Sequence, residues 1–123
     1  MNATQRPGLP CYLIVMSQVL VAQDIAMTIR DHDPGATVIV ATGVGHALVQ
    51  LQPVSRLDLA FLTEHPTAFA GSPLARAIAL RGGRTVLLGS DAENTGPNGD
   101  WDVLAQPFDT QALMARLIRV ERA

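Results

Sequence analysis

The chain has 123 residues, of which 48% are hydrophobic and 16% are charged. This length and composition are typical of one globular domain with its own core, and they exclude a disordered tail or a string of modules. The formal net charge is -2 and all nine bases are arginine, which excludes the basic surface of a nucleic-acid-binding protein and any chemistry that requires a lysine.

The amino-terminal part of the chain shows no targeting or membrane-spanning pattern. Residues 1–10 lack the apolar segment of a secretion signal, and we interpret them as a flexible segment ahead of a single domain over 11–123. The apolar stretch over 11–22 is interrupted by polar residues and is too short to span a membrane. Cys11 has no second cysteine to pair with, so it suits a reducing compartment and a buried apolar position better than a role as a nucleophile. We therefore expect a cytoplasmic protein.

Strand and helix patterns alternate along the rest of the chain. Short apolar runs predict strands over 12–16, 37–41, 57–63, 85–88 and 103–105. Apolar residues three or four positions apart predict helices over 21–30, 46–52 and 73–81, and a last helix that is capped by Asp109 and turns Leu113, Leu117 and Val120 inward.

Two connections have no clear helical pattern. Residues 66–71 are expected to form a loop, and 91–101 contain too many glycine, proline and asparagine residues for a regular helix.

Five strands that alternate with helices predict an α/β fold with a parallel sheet covered on both faces. The simplest fit is a flavodoxin-like doubly wound five-stranded sheet in the order 2-1-3-4-5, with a weak or missing fourth helix.

The run over 57–63 is apolar along most of its length and ends abruptly at a threonine. Such a run is typical of a strand buried on both faces of a parallel sheet. In open α/β sheets, functional sites gather beyond the carboxyl ends of the strands. The first, third, fourth and fifth predicted strands end at Met16-Ser17, Thr63, Gly89-Ser90 and Gln106-Pro107. We place the candidate site there, and we note that an X–Pro bond such as the last one can be cis.

From Tyr12 to Arg119 the order of these motifs resembles a two-component response-regulator receiver domain of the CheY-like kind. The matching segments are the opening strand and helix start over 12–22, the phosphoacceptor strand over 57–63, the third helix over 72–82 and the fifth-strand signature over 103–109. The weak fourth helix also resembles that of a group of atypical alphaproteobacterial-type receivers. The resemblance implies the doubly wound fold and a role in phosphorelay signal transduction.

The chain departs from that family at the residues that carry its chemistry. The resemblance implies an acidic pair that holds Mg²⁺, an acceptor aspartate, a serine or threonine, and a lysine before the last proline. The residues at these positions are Met16, Ser17, Thr63, Ser90 (or Gly89), Gln106 and Pro107. A thioether and a hydroxyl do not suit Mg²⁺, threonine is no carboxylate nucleophile, and glutamine carries no charge. We therefore predict a degenerate pseudo-receiver with no enzymatic activity, no cofactor and no metal site.

The predicted function is a phosphorylation-independent protein-interaction module in signal transduction, with a protein partner or a second copy of the chain. Trp101 and Phe108 are candidate interface residues, and ordinary core packing is the alternative for both. Two other functions stay open: a receiver phosphorylated at a non-standard residue, and a small-molecule-binding domain that uses the uncharged pocket. A one-residue slip that moved Glu64 into the acceptor position is disfavoured because it would reverse the inward and outward faces of the strand.

Three further patterns have a structural explanation that we favour. Gly43-Val44-Gly45 imitates a dinucleotide-binding fingerprint but lacks the third glycine, so we interpret it as a turn. No serine lies in a nucleophile elbow. The three histidines, His32, His46 and His65, lie in different connections, and we interpret them as solvated loop residues rather than metal ligands.

Overall fold

The computed structural model describes residues 10–121, with side chains as far as Leu117. Its strands are β1 (Cys11–Val15), β2 (Thr37–Ala41), β3 (Leu59–Leu62), β4 (Arg84–Leu87) and β5 (Asp102–Val103). Its helices are α1 (Val19–His32), α2 (Val44–Leu51), α3 (Pro66–Phe69), α4 (Pro73–Leu80), α5 (Ser90–Thr95) and α6 (Thr110–Glu121). Apart from Pro10, the flexible segment predicted for residues 1–10 lies outside the described residues.

All strand pairs are parallel, and the strand order is β2-β1-β3-β4-β5. The sequence prediction of a flavodoxin-like doubly wound sheet is therefore confirmed. Among the described residues, no helix is both long enough and apolar enough to cross a membrane.

The two central strands are buried on both faces. Every residue of β1 and β3 is at most 4% exposed. Because successive side chains of a strand point to opposite faces, these residues divide between two cores. Cys11, Leu13, Val15, Ala60 and Leu62 join one cluster, and Tyr12, Ile14, Leu59 and Phe61 join the other.

The helices complete one core on each face of the sheet. α1 and α6 contact each other and contribute Ile25, Ile29, Leu113 and Leu117 to one cluster. α2 and α4 contact each other and contribute Leu51, Leu74 and Ile78 to the other. Each of these side chains is at most 1% exposed, and burying one contributes about 2 kcal/mol to folding. Asp109 caps α6 as predicted, because its carboxylate accepts a hydrogen bond from the backbone N–H of Ala112 at 2.8 Å. The predicted inward side of Val120 lies outside the described side chains.

Two short helices form where the sequence indicated a loop or an irregular segment. α3 lies within the predicted loop over 66–71, and the Nδ1 atom of His65 accepts a hydrogen bond from the N–H of Thr67 at 3.1 Å to cap it. α5 has six residues, so the fourth helix of the predicted fold is present but short. The loop prediction was wrong because a histidine ring nitrogen replaced the usual small capping residue.

Element boundaries differ from the sequence prediction at several ends. β3 is shorter than the predicted 57–63, and β5 begins one residue earlier than the predicted 103–105 and is shorter. α1 begins at Val19 rather than Val21, and Gln18 precedes it without a side-chain capping bond. α2 starts at Val44, so the turn predicted for Gly43-Val44-Gly45 already holds the first helical residues.

Asp58 joins the amino ends of three strands. Its carboxylate accepts a hydrogen bond from the N–H of Cys11 at 2.8 Å and pairs with the guanidinium of Arg56 at 3.0 Å. Its backbone N–H donates to the carbonyl of Cys11 at 2.8 Å, and its carbonyl accepts from the N–H of Arg84 at 3.1 Å. One residue therefore sets the alignment of β1, β3 and β4 at this edge of the sheet.

Arg81 joins α2 to α4 through three backbone carbonyls. Its guanidinium donates to the carbonyls of Leu51 at 2.9 Å, Val54 at 2.8 Å and Ala77 at 2.9 Å. Two of these acceptors lie at or just beyond the end of α2, where helix carbonyls lack intrahelical partners. The side chain thus holds the two helices of one face together at their carboxyl ends.

Replacing Arg81 with methionine is expected to lower the free energy of unfolding by about 2–3 kcal/mol, because half-buried carbonyls lose a charged donor. Urea denaturation followed by circular dichroism measures the change. Arg76→Met is the matched control, since Arg76 is exposed on α4, and its effect is expected to stay within about 0.5 kcal/mol. Equal losses in the two variants would contradict the role assigned to Arg81.

Candidate functional site

The register of the sheet brings four strand ends to one edge. Val15 lies beside Leu62, Leu62 beside Leu87, and Leu87 beside Val103. The ladder continues one step further, since the N–H of Thr63 donates to the carbonyl of Val15 at 3.3 Å. The positions predicted from the sequence therefore follow neighbouring strands at the carboxyl edge.

The predicted site residues differ in their access to this edge. Ser17, Thr63 and Ser90 are exposed, and Gln106 is half-buried at a cis peptide bond to the exposed Pro107. Met16 is 2% exposed and packs into the core between the sheet and the helices α1 and α6. The edge thus presents hydroxyl and amide groups, while the thioether lies inside.

The groups at the ends of β1 and β3 do not fit Mg²⁺. That ion prefers carboxylate oxygens and water in an octahedral shell. Ser17 and Thr63 supply neutral hydroxyls, and the buried sulfur of Met16 is a soft atom. Within the described part of the chain, no group of three or more histidine, cysteine or acidic residues is placed to hold a metal ion.

Thr63, and not Glu64, occupies the position directly after β3. Leu59 and Phe61 face one core while Ala60 and Leu62 face the other, which leaves no room for a one-residue slip. Glu64 is half-buried in the connection that follows. The structure therefore gives no support to a shifted register that would make Glu64 the acceptor.

Two acidic residues of α5 connect this helix to the loops on either side, and the sequence prediction did not include them. The N–H of Gln106 donates to Oε2 of Glu93 at 3.2 Å, and Nε2 of His65 lies 3.9 Å from Oδ2 of Asp91. Both acids also lie in the first turn of α5, where negative charge is favoured by the helix dipole. The sequence shows two acids spaced at a helix start. Their contacts could not be predicted from it, because the partners lie in distant segments.

Gly89 makes the turn from β4 into α5. Its φ of 115° lies in a region that residues with a side chain rarely adopt, so a glycine is required here. Of the two candidates for the hydroxyl position, Gly89 therefore has a structural role, and Ser90 is the exposed hydroxyl at the helix start.

Histidine residues of this domain make local hydrogen bonds. His65 caps α3, as described above, and Nδ1 of His46 lies 3.4 Å from the donating N–H of Thr42. The other ring nitrogen of His46 lies 3.0 Å from the amide of Gln50. His46 and His65 are therefore bonded to neighbouring residues, whereas the sequence pattern had predicted loop side chains that are only solvated.

Trp101 is a core residue. It is 8% exposed, its indole N–H donates to the carbonyl of Gly96 at 3.0 Å, and its ring lies edge-on to Phe69 with centroids 6.3 Å apart. Phe108 is half-buried and packs against the core beside α1 and α6. The core alternative considered for both aromatics agrees with this placement, and a partner contact through them stays a prediction.

Three cavities of the structure are not lined by the exposed groups of the candidate site, although the buried Met16 lines one of them. One of about 600 Å³ lies beside β4 and the segment that precedes β5, and one of about 360 Å³ lies between that segment and α4. A third, of about 440 Å³, lies between α1 and β2. Thr63, Ser90 and Gln106 line none of the three.

The sheet order and the helices on both faces define an α/β doubly wound domain. Comparison with known proteins identifies the fold more closely. No protein-family model and no curated protein matches the chain. Solved structures do match. A CheY-like response regulator receiver domain protein from Methanospirillum hungatei is 18% identical with a TM-score of 0.70, covering 94% of this chain and 96% of that one.

Two further solved structures match this chain to a similar extent. The chemotaxis protein CheY4 of Vibrio cholerae is 20% identical with a TM-score of 0.68, covering 92% of this chain and 99% of that one. The BeF3-activated conformation of SdrG from Pseudomonas melonis is 21% identical with a TM-score of 0.68, covering 96% of this chain and 100% of that one. At such identities the likeness shows the fold, which is that of CheY-like response-regulator receiver domains.

Burial makes the Cys11 thiol unreactive. Burial, reinforced by the neighbouring Asp58 carboxylate, raises the pKa of Cys11 from 9.0 to about 11, while Arg56 acts in the opposite direction. Because the thiolate is the reactive form, native protein at pH 8 is expected to react with a disulfide reagent at least 100-fold more slowly than protein in denaturant. Absorbance of the released thiol measures both rates, and fast labelling of the native protein would contradict the burial described here.

Replacing Glu93 with alanine is expected to release the loop after β5. The backbone N–H of Gln106 loses its acceptor, so its hydrogen exchange is expected to accelerate about three- to tenfold with little change in global stability. NMR-detected exchange measures this amide directly. Asn94→Ala is the matched control, since Asn94 is exposed on the same short helix, and equal acceleration there would show that α5 loosens as a whole.

Proposed function

We propose that this domain is a pseudo-receiver that acts in signalling as a protein-interaction module without aspartyl phosphorylation. The receiver fold supports the signalling role. The observation that carries the rest is the set of groups at the carboxyl edge: Thr63 follows β3, Ser17 follows β1 beyond the buried Met16, and Gln106 precedes the cis proline. The domain is proposed to be non-enzymatic, and to bind no metal or other cofactor.

Phosphoryl transfer needs groups that this edge does not present. A carboxylate must attack the phosphorus, and a metal and a cation must neutralise the charge on the equatorial oxygens. Thr63 supplies a hydroxyl rather than a carboxylate. No lysine exists anywhere in the chain to supply the ammonium group.

Phosphorylation at a non-standard residue has less support. Asp91 and Glu93 are the acids of α5, but each is directed to a neighbouring loop, toward His65 and the N–H of Gln106 respectively. Placing a phosphoryl group on either would disrupt one of these contacts. The small-molecule alternative is also weaker, because Thr63, Ser90 and Gln106 line none of the cavities described above.

Exposed apolar side chains support the interaction role. Large hydrophobic residues at the surface include Val19, Leu20 and Met27 of α1, Val40 of β2, Val49 of α2 and Leu80 of α4. Single exposed apolar residues are common on soluble proteins, whereas groups of them mark contact surfaces. Three of them, Val19, Met27 and Val40, line one cavity between α1 and β2.

Restoring only the acceptor is expected to leave the protein unphosphorylated. Thr63→Asp places a carboxylate after β3 but supplies neither metal ligands nor a cation. After incubation with acetyl phosphate and Mg²⁺, intact-mass spectrometry is expected to show no phosphoryl adduct on the wild-type protein or on this variant. An acid-labile adduct on either protein would overturn the proposed loss of phosphotransfer.

A combined variant shows whether the missing partners explain the result. Ser17→Asp, Thr63→Asp and Gln106→Lys together return a metal ligand, an acceptor and a cation to the same edge. An adduct on this variant but not on Thr63→Asp would support the assignment of the loss to the whole set of groups. The substituted positions are exposed or half-buried, so the fold is expected to tolerate them.

A further inference from the structure

β2 forms one edge of the sheet and leaves part of its backbone open. It pairs with β1 on one side, and no strand formed by residues 10–121 lies on its other side. The N–H of Thr37 donates to the carbonyl of Pro10 at 2.9 Å, and the carbonyl of Ala41 accepts from the N–H of Met16 at 3.1 Å, so these two residues face β1. Because alternate residues of a strand direct their backbone groups to opposite sides, Val38 and Val40 present N–H and C=O groups to the open edge.

This edge lacks the features that usually prevent strand addition. Natural edge strands are short, charged, bulged or interrupted by proline. The sequence of β2, Thr-Val-Ile-Val-Ala, has five residues with no charge and no proline, and its Val40 is 39% exposed. The opposite edge differs, because β5 has two residues and begins with Asp102.

We propose that the open edge of β2 binds β2 of a second copy of this chain, in an antiparallel pair centred on Ile39. This inference rests on the proposed interaction role and names its surface and its partner. About that centre Val38 lies opposite Val40 of the second copy. Directly opposed residues of this kind exchange both of their backbone hydrogen bonds. Every open group on Val38 and Val40 then gains a partner.

The side chains of β2 are compatible with this two-fold pairing. Every side chain that meets its counterpart is apolar or a threonine, so no like charges are opposed. β-branched residues facing one another across strands stabilise a sheet by about 0.2–1 kcal/mol per pair. The same patch serves both copies, and such a contact closes after two chains.

The cavity between α1 and β2 extends this surface. Val38 packs against the core cluster on the α1 face of the sheet, and the exposed Val19 and Met27 of α1 line the cavity together with Val40. A two-fold axis perpendicular to the sheet keeps α1 of both copies on the same face. Pairing of the edges therefore brings two apolar α1 surfaces together above the joined strands.

A proline at position 40 tests the pairing. Val40→Pro removes an N–H that faces the open edge and leaves the hydrogen bonds to β1 in place, which is where edge strands accept proline. In sedimentation equilibrium up to about 1 mM, the wild-type protein is expected to dimerise, and the variant is expected to dimerise at least tenfold more weakly. Leu80→Ser is the matched control, since Leu80 is 77% exposed on α4, and it is expected to dimerise like the wild type.

A second variant gives a result that does not depend on how well Val40→Pro folds. Ile39→Cys in a Cys11→Ser background places two thiols directly opposite each other, in a pair whose Cα atoms lie about 4.5 Å apart. Mild oxidation is expected to cross-link it at low protein concentration, whereas Val49→Cys, exposed on α2, is not expected to cross-link. A wild-type monomer at 1 mM, or equal cross-linking at the two positions, would overturn the proposal. Neither outcome bears on phosphotransfer, which is tested separately by mass.

Discussion

The ends of β1, β3 and β4 at the candidate site are positioned by hydrogen bonds made at the amino ends of the same strands. There Asp58 bonds to Cys11 through both its carboxylate and its backbone, and its carbonyl accepts from Arg84. β3 lies between β1 and β4 and is buried on both faces, so a shift of one residue would exchange its two sets of core side chains. The bonds of Asp58 and the two buried faces of β3 favour the same register, in which Thr63 lies beyond Leu62 and beside the end of β1.

Several of the contacts that hold the fold together lie away from the groups at the candidate site. The charged contacts of Asp58 and Arg81 lie away from the carboxyl edge, whereas Arg116 of α6 bonds to Val103 at the end of β5 and pairs with Asp102. At the carboxyl edge the acids of α5 contact loops and no strand end carries a carboxylate. Ser17, Ser90 and Gln106 belong to neither core, so substitutions there leave the core packing in place, whereas Met16 is part of one core. The fold and the proposed chemistry can vary independently, which is why similar structures alone do not establish a function.

Much of the fold follows from short-range patterns. Apolar runs and spacings of three or four residues were sufficient for the strands and the main helices, since each pattern reflects burial by its own element. The strand order came from the doubly wound topology, which is the simplest fit to five alternating strands and helices. The short elements were not predictable in the same way. α3 begins at a histidine cap, and Glu93 and Asp91 of α5 face segments that are distant in the sequence. The positions of the strand-end residues at the site followed from the topology. The burial of Met16 and the partial burial of Gln106 could not be predicted, because they result from packing against segments that are distant in the sequence.

The buried thiol of Cys11 has a further consequence for measuring motion in this domain. It is the single cysteine, and its backbone is bonded to Asp58 at the start of β3. A reagent reaches the sulfur when the amino end of β1 separates from its neighbours. The labelling rate in the native protein is then a measure of the free energy of that local opening. The labelling rate of the native Cys11 thus reports how often the amino end of β1 opens, and no engineered probe is needed.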